Sequence, residues 1–237
     1  MNNSIFHPLS KTVRLLLVAT LAIALILGTG QMARAEPLAA TAPELGTAAN
    51  FVVLGGAGVT CTDSTITGDV GSLLTVIPTP TCNIVGPIHQ GDATAIQAFN
   101  DFSVAYLELA AVPCPADADH NLTGDLGGMV LSPGVYCISG VGLLTSQLTL
   151  DGPSNGIWIF KAATSLTPIG GSVVMAGGGQ AGNVYWQTGT AVSLDNTKFV
   201  GTILAGSAIT FTGVGSSLDG RALAKTAVTA TGASIRR

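Results

Sequence analysis

Two histidines and a short acidic segment contain the side chains that could best support catalysis or metal binding. His89 precedes a predicted helix, and His120 follows Asp117 and Asp119. A hydrolytic triad needs a nucleophile in a strained turn with a base beside it, and the chain contains no G-x-S-x-G segment. We therefore predict no catalytic site and interpret both histidines as surface or capping residues.

The segment Asp117–Asn121 has the acidic spacing of a calcium loop. An EF-hand loop then needs glycine at its sixth position and an acid at its twelfth, where this chain has Leu122 and Gly128. A looser ion site that includes Asp125 is the remaining alternative. Other acids are scattered over turns, where aspartate stabilises local backbone, and are not paired as a glycosidase requires. We predict no metal and no cofactor.

Four cysteines, Cys61, Cys82, Cys114 and Cys137, form an even set in a chain that we expect to be exported. Such a set favours two disulfides, for which three pairings can be drawn. We prefer Cys61–Cys82 with Cys114–Cys137, because each closes a short loop in the less regular half of the chain. Zinc is the competing use, but no C-x₂-C or histidine spacing supports it.

Residues 1–35 are predicted to be a secretory signal peptide. Lys11 and Arg14 give a positive start, and the apolar run Leu15–Gly30 is shorter than the roughly 20 residues that a membrane span needs. Small residues in Ala33–Ala35 predict cleavage after Ala35. An uncleaved membrane anchor is the alternative. Cleavage would release a secreted, extracellular chain with no membrane contact.

The composition excludes several classes of partner. Charged residues make up 9% of the chain, against roughly 25% in ordinary globular domains. No Lys or Arg lies between Glu36 and Phe160, so the chain lacks the basic surface that nucleic acids and anionic membranes need. Repeated Val, Ile and Thr segments and a positive mean hydropathy indicate a folded β protein rather than a disordered chain.

The second half of the chain, from about Ile157, is a series of short apolar strands separated by Gly, Ser, Asn and Asp. Related strands begin at Val184, Thr202 and Arg221, which gives a period of roughly 20 residues. This period is typical of a β-solenoid, in which each coil buries its apolar side against its neighbours. A β-sandwich of short strands is the alternative.

One amphipathic helix is predicted from Asp92 to about Ala111. Apolar residues recur there at spacings of three and four, Asp92 is a candidate N-cap, and Pro113 ends the run. We expect the helix to lie along the β body and to cover one apolar wall. Because it interrupts the β pattern, we expect coils that do not stack in sequence order.

Motifs along most of the chain resemble the microbial ice-binding protein family. They are Leu45–Leu54, Ile66–Gly71, Leu131–Tyr136, Leu148–Gly152, Ile157–Phe160, Asn183–Gln187, Phe199–Ala205 and Leu218–Ala224. The resemblance covers about Leu45 to Ile235. It implies a mainly β fold, namely a right-handed, discontinuous β-solenoid of roughly triangular cross-section with one long α-helix packed alongside. Residues 36–44 would then be a short linker, and 45–237 the domain.

The resemblance also implies adsorption to ice through one flat wall of the solenoid, with inhibition of ice growth and recrystallisation. Threonine suits such a wall, since its χ1 is stiff and it carries both a methyl and a hydroxyl group. Aligned repeats bring small residues together just after the apolar strands, and these candidate ice-binding residues are Ala57, Ser139, Thr164, Thr188, Thr190, Ser207 and Thr226. Lys161 and Lys225 lie near this column and should reduce its uniformity.

Other threonines weaken the choice of that column. Thr-x-Thr pairs begin at Thr65, Thr210 and Thr229, and threonine is common in strands for reasons of packing alone. The expected partner is an ice crystal surface, and we expect a monomer. The alternative is an extracellular adhesion or structural module that binds polymers or cell surfaces, and a polysaccharide-cleaving enzyme ranks third.

Overall fold

The computed structural model of the chain describes residues 40–237. Its strands pair in parallel, and most pair with the equivalent strand of a neighbouring coil. The predicted mainly β solenoid with one long helix is thereby confirmed. The predicted signal peptide, residues 1–35, lies outside the described residues. Within residues 40–237, no helix combines the length and the apolar character that crossing a membrane requires.

The described strands fall into a group before the helix and a group after it. The first group is β1 (Phe51–Gly55), β2 (Gly58–Thr62), β3 (Thr65–Thr67), β4 (Asp69–Ser72), β5 (Thr75–Pro78), β6 (Asn83–Val85) and β7 (Ile88–Gln90). The second group is β8 (Asn121–Asp125), β9 (Val130–Leu131), β10 (Gly134–Leu144), β11 (Gln147–Asp151), β12 (Trp158–Ala162), β13 (Leu166–Pro168), β14 (Ser172–Ala176), β15 (Val184–Thr188), β16 (Val192–Asp195), β17 (Lys198–Ala205), β18 (Ile209–Thr212), β19 (Ser217–Ala224), β20 (Ala227–Thr231) and β21 (Ser234–Arg236). The helix α1 spans Ala93–Ala111, and short 3-10 helices span Gly46–Asn50 and Ala181–Asn183.

The coils surround the interior with three walls. The helix wall contains β7, β4, β1, β15, β12 and β8, with the adjoining halves of β19, β17 and β10. The threonine wall contains β5, β2, β20, β18, β16 and β13, with the end of β10. The charged wall contains β6, β3, β21, β14, β11 and β9, with the first halves of β19 and β17.

The coils do not stack in sequence order, as the position of the helix predicted. The first coil pairs through β1, β2 and β3 with β19, β20 and β21 of the last coil. On its other side it pairs with β4, β5 and β6. Helix α1 then carries the chain to the opposite end, from which the later coils return. The first coil therefore completes the stack by docking against the last.

A column of stacked aromatic rings fills part of the interior. Tyr136, Phe160 and Trp186 lie in register on successive strands, and their ring centroids are 5.3 and 4.0 Å apart. Phe199 continues the column from the charged wall, 4.7 Å from Trp186. Since each such ring buries roughly 150–250 Å², this column is a large share of the apolar interior.

Two paired glycines let neighbouring coils turn a corner at close range. Gly201 and Gly220 lie opposite each other where β17 and β19 pass from the charged wall to the helix wall. Their φ angles are +102° and +156°, and a Cβ atom on Gly220 would lie 1.9 Å from the carbonyl oxygen of Gly201. Any side chain at Gly220 would therefore push the two coils apart.

Helix α1 covers the outer side of the helix wall. Asp92 caps its N-terminus by accepting a hydrogen bond from the Ala95 N–H at 2.7 Å, as the sequence predicted. Phe102 and Leu109 share a buried cluster with leucines of the wall, among them Leu204 and Leu223. Ala40 and Ala42, from the segment expected to be a linker, also pack against this cluster.

Both predicted disulfides are present. Cys61–Cys82 joins β2 to the turn that follows β5, and its Cα atoms are 5.6 Å apart. Cys114–Cys137 joins the segment after α1 to β10, with a Cα separation of 5.8 Å. Each disulfide therefore fastens the chain near one end of the solenoid, where a coil has a neighbour on one side only.

The interface between α1 and the helix wall predicts the effect of a core truncation. Leu223 is fully buried against the helix, whereas Leu107 on the outer face of the helix is 61% exposed. We expect Leu223→Ala to lower the free energy of unfolding by about 2–5 kcal/mol. Leu107→Ala, the same change outside the interface, should stay within about 0.5 kcal/mol. Equal midpoints for the two variants in denaturant unfolding would contradict this packing.

Candidate functional site

The threonine wall presents one column of hydroxyl side chains along its centre. Thr60 pairs with Thr229, Thr229 pairs with Thr210, and Thr210 pairs with Ser193. Leu166 pairs with Val192, which places Thr167 beside Ser193. We call these five residues, Thr60, Thr229, Thr210, Ser193 and Thr167, the central column. They are separated along the chain by whole coils and come together only through stacking.

Strand alternation explains why the central column faces outward. The residues before it, among them Val59, Val228 and Ile209, are fully or almost fully buried in the interior. In a strand, successive side chains point to opposite faces, so the next residue of each strand must point to solvent. The inward residues thereby fix the position of the hydroxyl groups.

Two further outward columns flank the central one. On one side lie small residues, including Gly58 paired with Ala227. On the other side Thr62 pairs with Thr231, and Thr212 pairs with Asp195. Most of these side chains are of threonine size or smaller, while Ile77, which pairs with Thr60 and is 54% exposed, continues the central column at one end of the wall.

The hydroxyl groups of the central column are free to bind water. Among residues 40–237, the five side-chain hydroxyls of this column have no hydrogen-bond partner in the protein. Thr212, in the flanking column, instead donates to the Leu194 carbonyl at 3.4 Å. The central column can thus offer regularly spaced donors and acceptors to an external surface.

Charge is distributed unequally among the walls. One charged residue, Asp195 at the end of β16, occurs in the described strands β2, β5, β13, β16, β18 and β20 of the threonine wall. The charged wall instead carries Lys198, Asp219 and Arg236 on outward positions. The threonine wall is therefore the wall whose hydration is least controlled by ions.

Five of the seven predicted site residues form a ladder at the corner between the helix wall and the threonine wall. Backbone hydrogen bonds of 2.6–3.2 Å connect them in the order Ala57, Thr226, Ser207, Thr190 and Thr164. Ser139 occupies an exposed position that pairs with Thr123 near the end of the same corner. The alignment thus brought together residues that are neighbours in space, and we call these six residues the corner column.

Thr188, the seventh predicted residue, faces the interior. It is 1% exposed, and its hydroxyl donates to the Thr190 carbonyl at 3.0 Å. Alternation places it in the inward row with Ala162 and Ala205, its neighbours in the stack. Thr188 consequently has no access to a surface and leaves the set of candidate contact residues.

Lys161 and Lys225, expected to disturb the column, are both engaged on the helix side. The Lys161 ammonium donates to the carbonyl oxygens of Ala110 and Val112 at the C-terminus of α1. The Lys225 ammonium lies 3.8 Å from the ring centroid of Tyr106, in a cation–π contact with the helix. Both ammonium groups are therefore held by contacts with the helix or with the residue that follows it.

None of the five central-column residues is among the contact residues predicted from the sequence. Their signal was the Thr-x-Thr pairs at Thr210 and Thr229, which strand propensity alone could explain. The decisive observation, that Thr60 stands beside Thr229, requires the first coil to dock on the last. That contact joins positions at opposite ends of the domain and has no local sequence signal.

The histidines take local structural positions. His89 Nδ1 lies 2.8 Å from Asp92 Oδ2 at the N-cap of α1, and His120 Nδ1 lies 2.6 Å from Asp117 Oδ1. The backbone hydrogen bond from Ala95 is the main cause that lowers the pKa of Asp92, and the His120 hydrogen bond lowers that of Asp117. In the described part of the chain, no three His, Cys, Asp or Glu side chains are grouped as a metal site would require.

Comparison with known proteins defines the class of this fold. The chain matches the Ice-binding-like family over residues 39–236 and belongs to that family. It is 40% identical over 200 residues to an ice-binding protein of Nostoc sp. (strain HG1), covering 80% of this chain and 72% of that protein. It is 35% identical over 202 residues to an ice-binding protein of Flavobacterium frigoris (strain PS1), covering 78% and 72%.

Solved structures agree with this assignment. The ice-binding protein of the Antarctic ascomycete Antarctomyces psychrotrophicus superposes with a TM-score of 0.76 at 30% identity, over 83% of this chain and 98% of that one. An ice-binding protein from an Antarctic biological consortium superposes with a TM-score of 0.78 at 34% identity, over 85% and 93%. The resemblance found in the sequence motifs is confirmed.

The inward position of Thr188 leads to a prediction for its conservative replacement. We expect Thr188→Val to lower the free energy of unfolding by about 1 kcal/mol, because the buried hydrogen bond to the Thr190 carbonyl is lost. Thr210→Val makes the same change at an outward hydroxyl and should alter stability by less than about 0.5 kcal/mol. Thermal unfolding of both variants measures the difference, and a Thr188→Val protein as stable as the parent would contradict the buried assignment.

Proposed function

We propose that this chain is a secreted ice-binding protein that adsorbs to ice through its threonine wall. The observation that carries the proposal is the central column, five outward hydroxyl side chains on stacked parallel strands that have no partner within the described protein. Membership of the Ice-binding-like family supports ice as the ligand. Adsorption at a growing surface would slow ice growth and recrystallisation.

The spacing of the wall suits a crystalline ligand. Stacked coils are ~4.8 Å apart, and outward side chains along one strand repeat at ~6.6–7 Å. These two repeats produce a two-dimensional array of methyl and hydroxyl groups. Threonine χ1 is stiff, and the inward residues of the same strands, such as Val59, Val228 and Ile209, are fully or almost fully buried. The array therefore keeps its spacing with little further loss of side-chain entropy on binding.

The low charge of the wall supports the same function. A charged side chain is costly to desolvate unless it is paired, so it would hold its own hydration shell against an ice lattice. Methyl groups bind water weakly, and free hydroxyls accept and donate in either direction. The threonine wall, with its charge confined to Asp195, is better suited to ordered water than the charged wall.

The corner column extends this surface in our proposal. Thr164, Thr190, Ser207 and Thr226 are hydroxyl residues that adjoin the threonine wall, and Ala57 and Ser139 continue their ladder. They would contact ice at the rim of the adsorbed face. Their side chains stand at a bend of the coil, so we assign the larger share of binding to the central column.

Export and action as a monomer belong to the same proposal. The signal peptide of residues 1–35, with cleavage after Ala35, would deliver the chain to the extracellular medium where ice forms. Two disulfides support an oxidising compartment. We propose no enzymatic activity, since the family is one of ice-binding proteins.

Blocking the central column tests the assignment. Thr210→Tyr places a bulky ring in the middle of the wall, and we expect a loss of ice adsorption of roughly tenfold or more, about 1.4 kcal/mol. Thr67→Tyr, the same replacement at an exposed position of the charged wall, is the matched control and should retain full activity. Recrystallisation inhibition and thermal hysteresis at equal protein concentration are the measurements.

Thr226→Tyr separates the two columns. We expect this corner substitution to weaken recrystallisation inhibition less than Thr210→Tyr does. The reverse order would move the main contact to the corner column, and unchanged activity in both variants would place it on another wall. A parent protein that leaves ice recrystallisation unchanged, yet binds polysaccharides or cell surfaces in a glycan-binding screen, would replace ice binding by adhesion.

Asp195 offers a gain-of-function test. Its carboxylate adjoins Thr212, which in turn lies beside Thr231, and it accepts a hydrogen bond from the Asn196 amide at 3.0 Å. Asp195→Thr would extend the flanking threonine column by one coil and remove the charge. We expect thermal hysteresis to rise, and Asp219→Thr on the charged wall, which removes the same charge, to leave it unchanged. A lower hysteresis with an intact fold would contradict the proposed role of low charge.

A further inference from the structure

A cavity of about 440 Å³ lies between the C-terminal end of α1 and the helix wall. Its lining includes Ala110 from the helix, the Cys114–Cys137 disulfide, and Ala162 from the wall. Its volume is within the range of about 300–1,000 Å³ that is usual for sites of small molecules. The cavity includes no residue of the central column, which carries the ice-binding proposal, although Ser139 at the end of the corner column lies on its rim.

The polar side chains of this cavity interrupt an apolar column of the helix wall. Leu54, Leu223 and Leu204 occupy equivalent outward positions on successive coils, where the helix covers them. The next two coils carry Gln187 and Lys161 at the same position. The change from leucine to polar residues occurs at the coils that line the cavity.

Lys161 brings a positive charge that has no acidic partner. Its ammonium donates to the Ala110 and Val112 carbonyls, and the ion pairs within residues 40–237 involve only the two histidines. An ammonium has three donors, so one remains for another acceptor. Burial lowers the pKa of Lys161, which is the expected result when a cation loses water without gaining an anion.

Gln187 brings an amide whose hydrogen bonds are not made inside the protein. The residue is only 6% exposed and lines the cavity. No other side chain or backbone group of residues 40–237 pairs with its amide, while no side-chain nitrogen or oxygen in this part of the chain is both fully buried and unpaired. The amide therefore reaches the cavity space, and a group bound there would meet its donors.

We propose that this cavity binds a small carboxylate with a short apolar tail. The Lys161 ammonium would pair with the carboxylate, and the Gln187 amide would donate to its second oxygen. The disulfide and the alanines would contact the tail. A carboxylate can accept hydrogen bonds from both free donors and also neutralise the Lys161 charge. A neutral ligand can accept the hydrogen bonds but cannot neutralise the charge.

Titration of the purified chain with hexanoate, followed by NMR of backbone amides, tests the proposal. We expect saturable shift changes at Ala162, Ala163 and Gly189, which line the cavity, and smaller ones at Thr210 on the threonine wall. Hexanamide, of the same length without charge, should bind at least tenfold more weakly. No saturable shifts up to the solubility limit of hexanoate, or equal binding of hexanamide, would overturn the proposal.

Two variants identify the residues responsible. Gln187→Leu restores the leucine of the column and should weaken hexanoate binding severalfold while the chain stays folded. Lys161→Met retains an unbranched side chain and should weaken it at least tenfold, and Lys198→Met on the charged wall is the control for loss of one cation. If Lys161→Met disturbs the helix terminus, the Gln187→Leu variant remains as the test. Unchanged hexanoate affinity of Gln187→Leu would then contradict the proposed site. Recrystallisation inhibition should be unaffected in Gln187→Leu.

Discussion

The structure depends on one constraint: no coil has an apolar core of its own. A single coil can bury its inward side chains only against the coils above and below it. Val59, Val228 and Ile209 illustrate this, since they become fully or almost fully buried only when their strands stack. The same stacking that hides these residues spaces the outward residues of each wall at the regular ~4.8 Å of parallel strands. Regularity of the surface is therefore a consequence of burial in the interior.

Helix α1 covers one wall of the solenoid and holds two lysine side chains close to it. It shields the apolar outer side of one wall, and its C-terminal carbonyls and the Tyr106 ring hold Lys161 and Lys225. Cations near the C-terminus of a helix are favoured by its dipole. The strands of the adjoining threonine wall themselves carry one charged residue, Asp195, and the two lysines are held on the helix side.

Docking of the first coil on the last makes the threonine wall continuous. Thr60 and Thr229 come from opposite ends of the domain, yet they are direct neighbours in the central column. Such non-local contacts are slow to form, since a long loop must close before they contribute. The disulfides fasten coils near the two ends of the stack, where stabilising neighbours are fewest. Integrity of the whole stack, rather than of any one strand, is what keeps the spacing of the wall regular.

The sequence by itself determined the elements and the class of protein. Periodicity predicted the solenoid, spacing and the N-cap at Asp92 predicted the helix, loop length favoured the disulfide pairs, and the scaffold motifs identified the family. These are local properties, set within one strand, one helix or one turn. The alignment also brought the corner column together, because that column follows one position of the repeat.

Only the tertiary structure decided which hydroxyl groups face outward. It also placed the Lys161 and Lys225 ammonium groups on the helix side. Thr188 and Thr190 differ by two positions in the chain, but the corner between them leaves one buried and the other exposed. Thr60 joins the central column only through the contact between the first and last coils, which has no local signal. Side-chain type is encoded position by position, whereas the wall it belongs to is set by how coils turn and stack.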